Sequence, residues 1–107
     1  MARKRRLANM TPDPVPNTLL SAYPVKELDL HGLTAAEAEL KVRDFIITCV
    51  RTVSGQAVRV VTGKGKGSAG RPVLAPLVRK MLETSLAPYV SEFTAGVGGG
   101  SYLVRIK

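Results

Sequence analysis

Residues 28–107 read as an α/β two-layer sandwich of β-α-β-α-β-β order, with a four-stranded mixed sheet and both helices on one face. Three observations point there. Short apolar runs of strand character alternate with stretches of helical character, glycine or proline stands at almost every change of period, and the segment before residue 28 has no apolar period at all.

The elements follow in order. Leu28 to His31 alternates apolar and polar as a half-buried strand does, and Gly32 ends it. Thr34-Ala35-Ala36-Glu37 is a capping box, in which the hydroxyl and the carboxylate satisfy amides at a helix start. Ala38, Val42, Phe45, Ile46 and Cys49 then form one apolar stripe at the 3.6 period, with Leu40 and Ile47 roughly opposite it. Ser54-Gly55 turns the chain into the β-branched run Ala57 to Thr62, the second strand. Gly63 to Gly70 is a glycine and lysine loop. A second helix opens near Pro72 and runs to about Ser85, with Pro76 tolerated in its first turn. Val90 to Thr94 and Ser101 to Ile106 are strands joined by Gly96-Val97-Gly98-Gly99-Gly100, longer than a tight hairpin requires.

Alternation assigns the faces. Leu28, Leu30, Val58, Val60, Tyr102, Val104 and Ile106 line the face under the helices, leaving Asp29, His31, Arg59 and Arg105 on an open face expected to be polar and mostly basic. Residues 1–27 hold MARKRR and then Pro12, Pro14, Pro16 and Pro24, which reads as a basic, disordered arm and linker with no packing role.

Sixteen Lys and Arg stand against eight Asp and Glu, a formal charge of +8, and the excess is concentrated in the arm and the glycine loop. A polyanionic partner is therefore expected. Cys49 is the only cysteine, which excludes an internal disulfide and a zinc site of paired thiolates and fits a reducing compartment. No apolar stretch approaches a membrane span, so no membrane partner and a cytoplasmic location are expected, although the Arg-rich, acid-free first dozen residues also suit an organelle transit peptide. A monomer is the default.

Two sites carry chemistry. His31-Gly32 and Gly63-Lys64-Gly65 lie at the carboxyl ends of the first and second strands, and a helix crossover between parallel neighbours puts both ends on one rim. Helix N-termini there, with Lys64 and Lys66, read as a phosphate site. The G-x-G-x-x-G match at Gly65 to Gly70 is accidental in a domain this small, and the Walker pattern fails. His31, the sole histidine, stands two residues from Asp29, which can orient its ring for proton transfer. Two-metal chemistry finds too few acids, since only Glu92 joins Asp29 near that face.

These residues resemble a known family. Leu28-Asp29-Leu30-His31-Gly32-Leu33-Thr34, then Val61-Thr62-Gly63-Lys64-Gly65, then Gly98-Gly99-Gly100-Ser101 before a final strand are similar in order and spacing to the Smr (small MutS-related) domain, here a stand-alone member. The resemblance implies a sandwich like the C-terminal domain of translation initiation factor three, and a nicking or structure-specific endonuclease on DNA or RNA, in some relatives on stalled ribosomes. It implicates Asp29 and His31 in cleavage and Gly63, Lys64 and Gly65 in nucleic-acid contact. Some relatives carry a histidine before Ser68, where this chain has Gly67.

Two function classes stand side by side: an endonuclease with Asp29 and His31 catalytic, and a non-catalytic nucleic-acid or ribosome-binding module. In both, Gly32, Gly63, Lys64, Gly65, Lys66, Arg71, Arg59 and Arg105 are expected to bind nucleic acid through its phosphates, and Arg3, Lys4, Arg5 and Arg6 form a basic arm. A weaker third reading is a protein adaptor using Leu40 and Ile47. Any cofactor is left open; a single divalent ion, Mg or Mn, would use Asp29.

Overall fold

The computed structural model describes residues 19–63 and 73–107. In chain order these form β1 (Lys26–Asp29), α1 (Ala35–Thr52), β2 (Ala57–Val61), α2 (Leu74–Glu83), β3 (Val90–Ala95) and β4 (Ser101–Ile106). The four strands make one sheet ordered β1-β2-β4-β3. β1 runs parallel to β2, while β2 with β4 and β3 with β4 are antiparallel, so the sheet is mixed as expected.

Thr34 caps α1 with its hydroxyl on the Glu37 amide, and the Glu37 carboxylate reaches back to the Thr34 amide, completing the capping box. The stripe Ala38, Val42, Ile46 and Cys49 is buried, with Phe45 packed at its margin. Pro76 is the third residue of α2, where no intrahelical amide is lost, and Val78, Met81 and Leu82 turn inward. Both helices pack on the same sheet face, against Leu30, Val58, Val60, Val104 and Ile106, in one core cluster. Leu40 and Ile47 remain 58% and 38% exposed. Among the described residues no helix is long and apolar enough to cross a membrane.

The opposite face departs from expectation in two ways. A 3-10 turn at Leu19–Ser21 lays Leu19 and Ala22 on Ala57 and Leu103, and the Val25 amide bonds the Ala57 carbonyl before β1 begins. The part of the supposed linker from Leu19 to Glu27 is therefore structured, anchored by buried Leu19 and by the Val25 amide, and not a free linker. Small Ala57 and the outward Leu103 leave an apolar patch on a face that alternation makes polar, and the turn removes that patch from water.

The face is also not mostly basic. Arg59 lies 3.5 Å from Glu27 and Arg105 lies 2.8 Å from Glu92, so each guanidinium has an acid beside it. Charge is distributed unevenly along the chain: the described residues hold nine Lys and Arg and seven Asp and Glu, so six of the eight net positive charges fall in residues 1–18 and 64–72.

Leu19→Ala removes one of the two leucines of the small cluster under the turn and is expected to destabilise the domain by about 2 kcal/mol, the low end for a buried leucine. Chemical denaturation checks this as a lowered midpoint. Deleting residues 1–24 should cost at least as much, whereas Leu40→Ala on the exposed face of α1 should shift the midpoint by no more than about 0.5 kcal/mol.

Candidate functional site

The first strand ends in a turn built by its own residues. The Leu30 amide reaches across to the Val61 carbonyl at 2.7 Å, and the Leu33 amide returns to the Leu30 carbonyl at 3.1 Å. Leu30-His31-Gly32-Leu33 is thus a four-residue turn, with Gly32 at φ +83° in the third position, where a type II turn requires positive φ. Leu30 is fully buried and pins the turn from below. His31 stands above it with its side chain 76% exposed.

One oxygen of Asp29 organises that histidine. Asp29 Oδ1 accepts the His31 backbone amide at 3.0 Å and lies 2.8 Å from His31 Nδ1. A carboxylate two residues before an amide commonly closes such a local turn, and here the same spacing also brings the ring within reach. The hydrogen bond from the His31 side chain, followed by that from its backbone, holds the Asp29 carboxyl below the usual carboxylate range. An ionised carboxylate only accepts hydrogen bonds, so Nδ1 carries the proton and Nε2 is the ring atom left to work outward.

The end of β2 arrives beside this turn. Gly63, at φ +83°, has the position a Cβ would take 3.5 Å from the His31 Cβ. Any side chain there would be strained in backbone, and its Cβ would sit in ordinary contact with the histidine. The β3–β4 hairpin locks the same corner, because the Gly100 carbonyl accepts both the Thr62 amide at 2.8 Å and the Gly63 amide at 3.1 Å. The three sequence segments singled out by residue pattern therefore meet at one place. The Gly100 carbonyl is the contact that sequence reading missed: a glycine-rich hairpin is visible in the chain, but its bonding partner is not.

The remaining residues sort differently. Gly32 belongs to the rim. Arg59 lies opposite Glu27 and Leu103 in the middle of the sheet, and Arg105 lies opposite Ala57, at the end of β2 away from His31. Both lie outside the rim cluster and face acids. The amides of Thr34 and Glu37 are taken by the capping box, as its sequence pattern implies, and that of Gly63 by the Gly100 carbonyl, so these three backbone donors at the rim are bonded internally. Lys64, Gly65, Lys66 and Arg71, like Arg3, Lys4, Arg5 and Arg6, lie outside the described residues.

The Smr domain family model matches residues 28–107, covering both strand ends, the histidine turn and the glycine hairpin. This chain belongs to the Smr domain family. An uncharacterized protein of Treponema pallidum (strain Nichols) is 35% identical over 82 residues, which are 77% of this chain and 40% of that protein. The chain thus spans about two fifths of that relative's length. Smr domains are generally nucleases or nucleic-acid-binding domains.

Chemically, the corner of this Smr domain offers one oriented imidazole, one ionised carboxylate and a backbone stripped of side chains at Gly32 and Gly63. Among the described residues no three His, Cys, Asp or Glu side chains converge as metal ligands. Asp29 is the carboxylate at the rim, and magnesium sites commonly use one or two protein carboxylates with substrate phosphate and water completing the shell.

Because His31 supplies both hydrogen bonds that depress Asp29, the variant His31→Ala keeps only the backbone one. The Asp29 titration midpoint, followed by carboxyl-carbon NMR, should lie below that of an ordinary aspartate in the parent and move upward in His31→Ala. As pH falls through the depressed midpoint, Asp29 becomes neutral and the ring should lose its fixed orientation.

Proposed function

We propose that this Smr domain is an endonuclease in which His31 transfers the proton and Asp29 sets the ring. The observation that carries the reading is Asp29 Oδ1 at 2.8 Å from His31 Nδ1, on a rim shared with Gly63. With Nδ1 committed to the carboxylate, Nε2 takes a proton from the attacking oxygen or returns one to the leaving oxygen of a phosphodiester. Asp29 compensates the charge that appears on the imidazole as it does so. Gly32 and Gly63 allow a sugar-phosphate backbone to approach the ring without meeting a Cβ.

Phosphate binding falls to Lys64, Gly65, Lys66 and Arg71, which follow directly on Gly63 in the chain, and to Arg3, Lys4, Arg5 and Arg6 in the arm. The near neutrality of the remaining residues supports this division. Arg59 and Arg105 are given no phosphate role, since their acidic partners already offset them. Where a divalent ion takes part, Asp29 would hold it. The lone buried thiol of Cys49 suits a reducing, cytoplasmic setting, and the substrate there is DNA or RNA, free or ribosome-bound.

Labelled single-stranded RNA, duplex DNA and four-way DNA junctions, each with and without EDTA, test the reading. His31→Ala should lower the cleavage rate by about 100- to 10,000-fold with little change in binding, and Asp29→Asn should impair it as well. If a 2′-hydroxyl is the nucleophile, cleavage survives EDTA and stops when the scissile nucleotide is 2′-deoxy. Wild-type cleavage by His31→Ala would dismiss the mechanism. Binding without cleavage of any substrate would leave a binding module.

Changing Lys64 and Lys66 together to Ala should weaken binding on all sequences alike and reduce the log-log salt slope on duplex DNA by roughly two. An unchanged slope would remove the loop from the interface.

A further inference from the structure

Val97 has no account in the fold. It is 88% exposed at the tip of the β3–β4 hairpin, where turn chemistry favours Gly, Asn or Asp and an apolar β-branched residue buries nothing. The loop around it is elaborate. Gly98, Gly99 and Gly100 stand in succession at φ +84°, +74° and +78°, although a two-residue turn would join antiparallel strands. At its base the Gly96 amide bonds the Ser101 carbonyl at 2.9 Å, and a Cβ on Gly96 would collide with Ser101 Oγ. The Gly99 amide bonds the Gly96 carbonyl at 3.3 Å, so the tip is braced across itself.

The position of this hairpin gives it meaning. Through the Gly100 carbonyl it is bonded to Thr62 and Gly63, and Gly63 lies against His31. An exposed apolar side chain is therefore carried on a braced stalk that shares its footing with the histidine corner, and the stalk has no side chain at the three positions that follow it. Single exposed apolar residues are ordinary on protein surfaces, but this one is anchored to the site.

We infer that Val97 is a base-contacting finger: it packs against the face of an unpaired nucleobase next to the phosphate held at the His31 corner. Nucleobase faces are apolar and accept such contact without regard to sequence, and apolar side chains inserted between bases are a known means of holding distorted nucleic acid. Glycines 98–100 let the sugar-phosphate strand pass close to the stalk. The finger thus selects unpaired or branched structure over continuous duplex, in a single-stranded RNA or at a DNA branch point. This rests on the nucleic-acid-binding part of the function proposed above, not on cleavage.

The test uses the full chain and two probes labelled with 2-aminopurine, a single-stranded RNA and a four-way DNA junction labelled at its branch. Wild type and His31→Ala should both change the fluorescence on binding, because the finger is intact in each. Val97→Gly should lose that response on at least one probe and bind it roughly tenfold more weakly, the equivalent of exposing one valine side chain again, with affinity for continuous duplex unchanged. Its thermal transition should fall by no more than the few degrees that the added freedom of a glycine costs the folded state, since Val97 buries nothing in the free protein. Response on the RNA alone or on the junction alone identifies the source of the base. A Val97→Gly protein that equals wild type on both probes overturns the finger, as does a wild type that gives no response on either. A wild type that responds but cuts neither probe removes the endonuclease reading and leaves the finger standing.

Discussion

The parallel register of β1 on β2, with Asp29 opposite Val61, is the constraint from which the rest of the molecule's chemistry follows. Parallel neighbours end at the same edge of a sheet, so the residues after Asp29 and after Val61 emerge side by side. The bond from the Leu30 amide to the Val61 carbonyl extends that pairing one step and brings the histidine turn up against Gly63. β4 then lies antiparallel on β2, which returns the hairpin to the same edge, and the Gly100 carbonyl ties it down. A slip of one residue between β1 and β2 would place Asp29 under the helices and the core leucines in water.

The histidine is oriented locally while its surroundings are assembled from afar. Asp29 and His31 need only their own turn to meet, and the carboxylate is kept ionised by the groups it holds. Both side chains are substantially exposed, so the site excludes little water by itself. For the function proposed above, desolvation of a phosphate at this rim would therefore fall to the bound polymer.

Electrostatics divides the chain into a nearly neutral body and two strongly basic segments. On the sheet face, acids beside Arg59 and Arg105 quench what alternation alone presents as a basic surface. The excess charge that the proposed polyanion binding would use then resides in residues 1–18 and 64–72 of the sequence.

Element order, the α1 cap, the apolar stripe of that helix and the Asp29–His31 pairing were legible in the sequence, because each rests on contacts within a few residues of itself. The meeting of His31 with Gly63 was legible too, through the handedness and direction of a parallel crossover. What only the tertiary structure decided are contacts between segments with no local signature: Leu19 over Ala57 and Leu103, Glu27 beside Arg59, Glu92 beside Arg105, and the Gly100 carbonyl on Thr62 and Gly63. Periodicity tells which face a residue takes, but strand order and register choose its neighbour, and those are settled by packing the whole sheet at once.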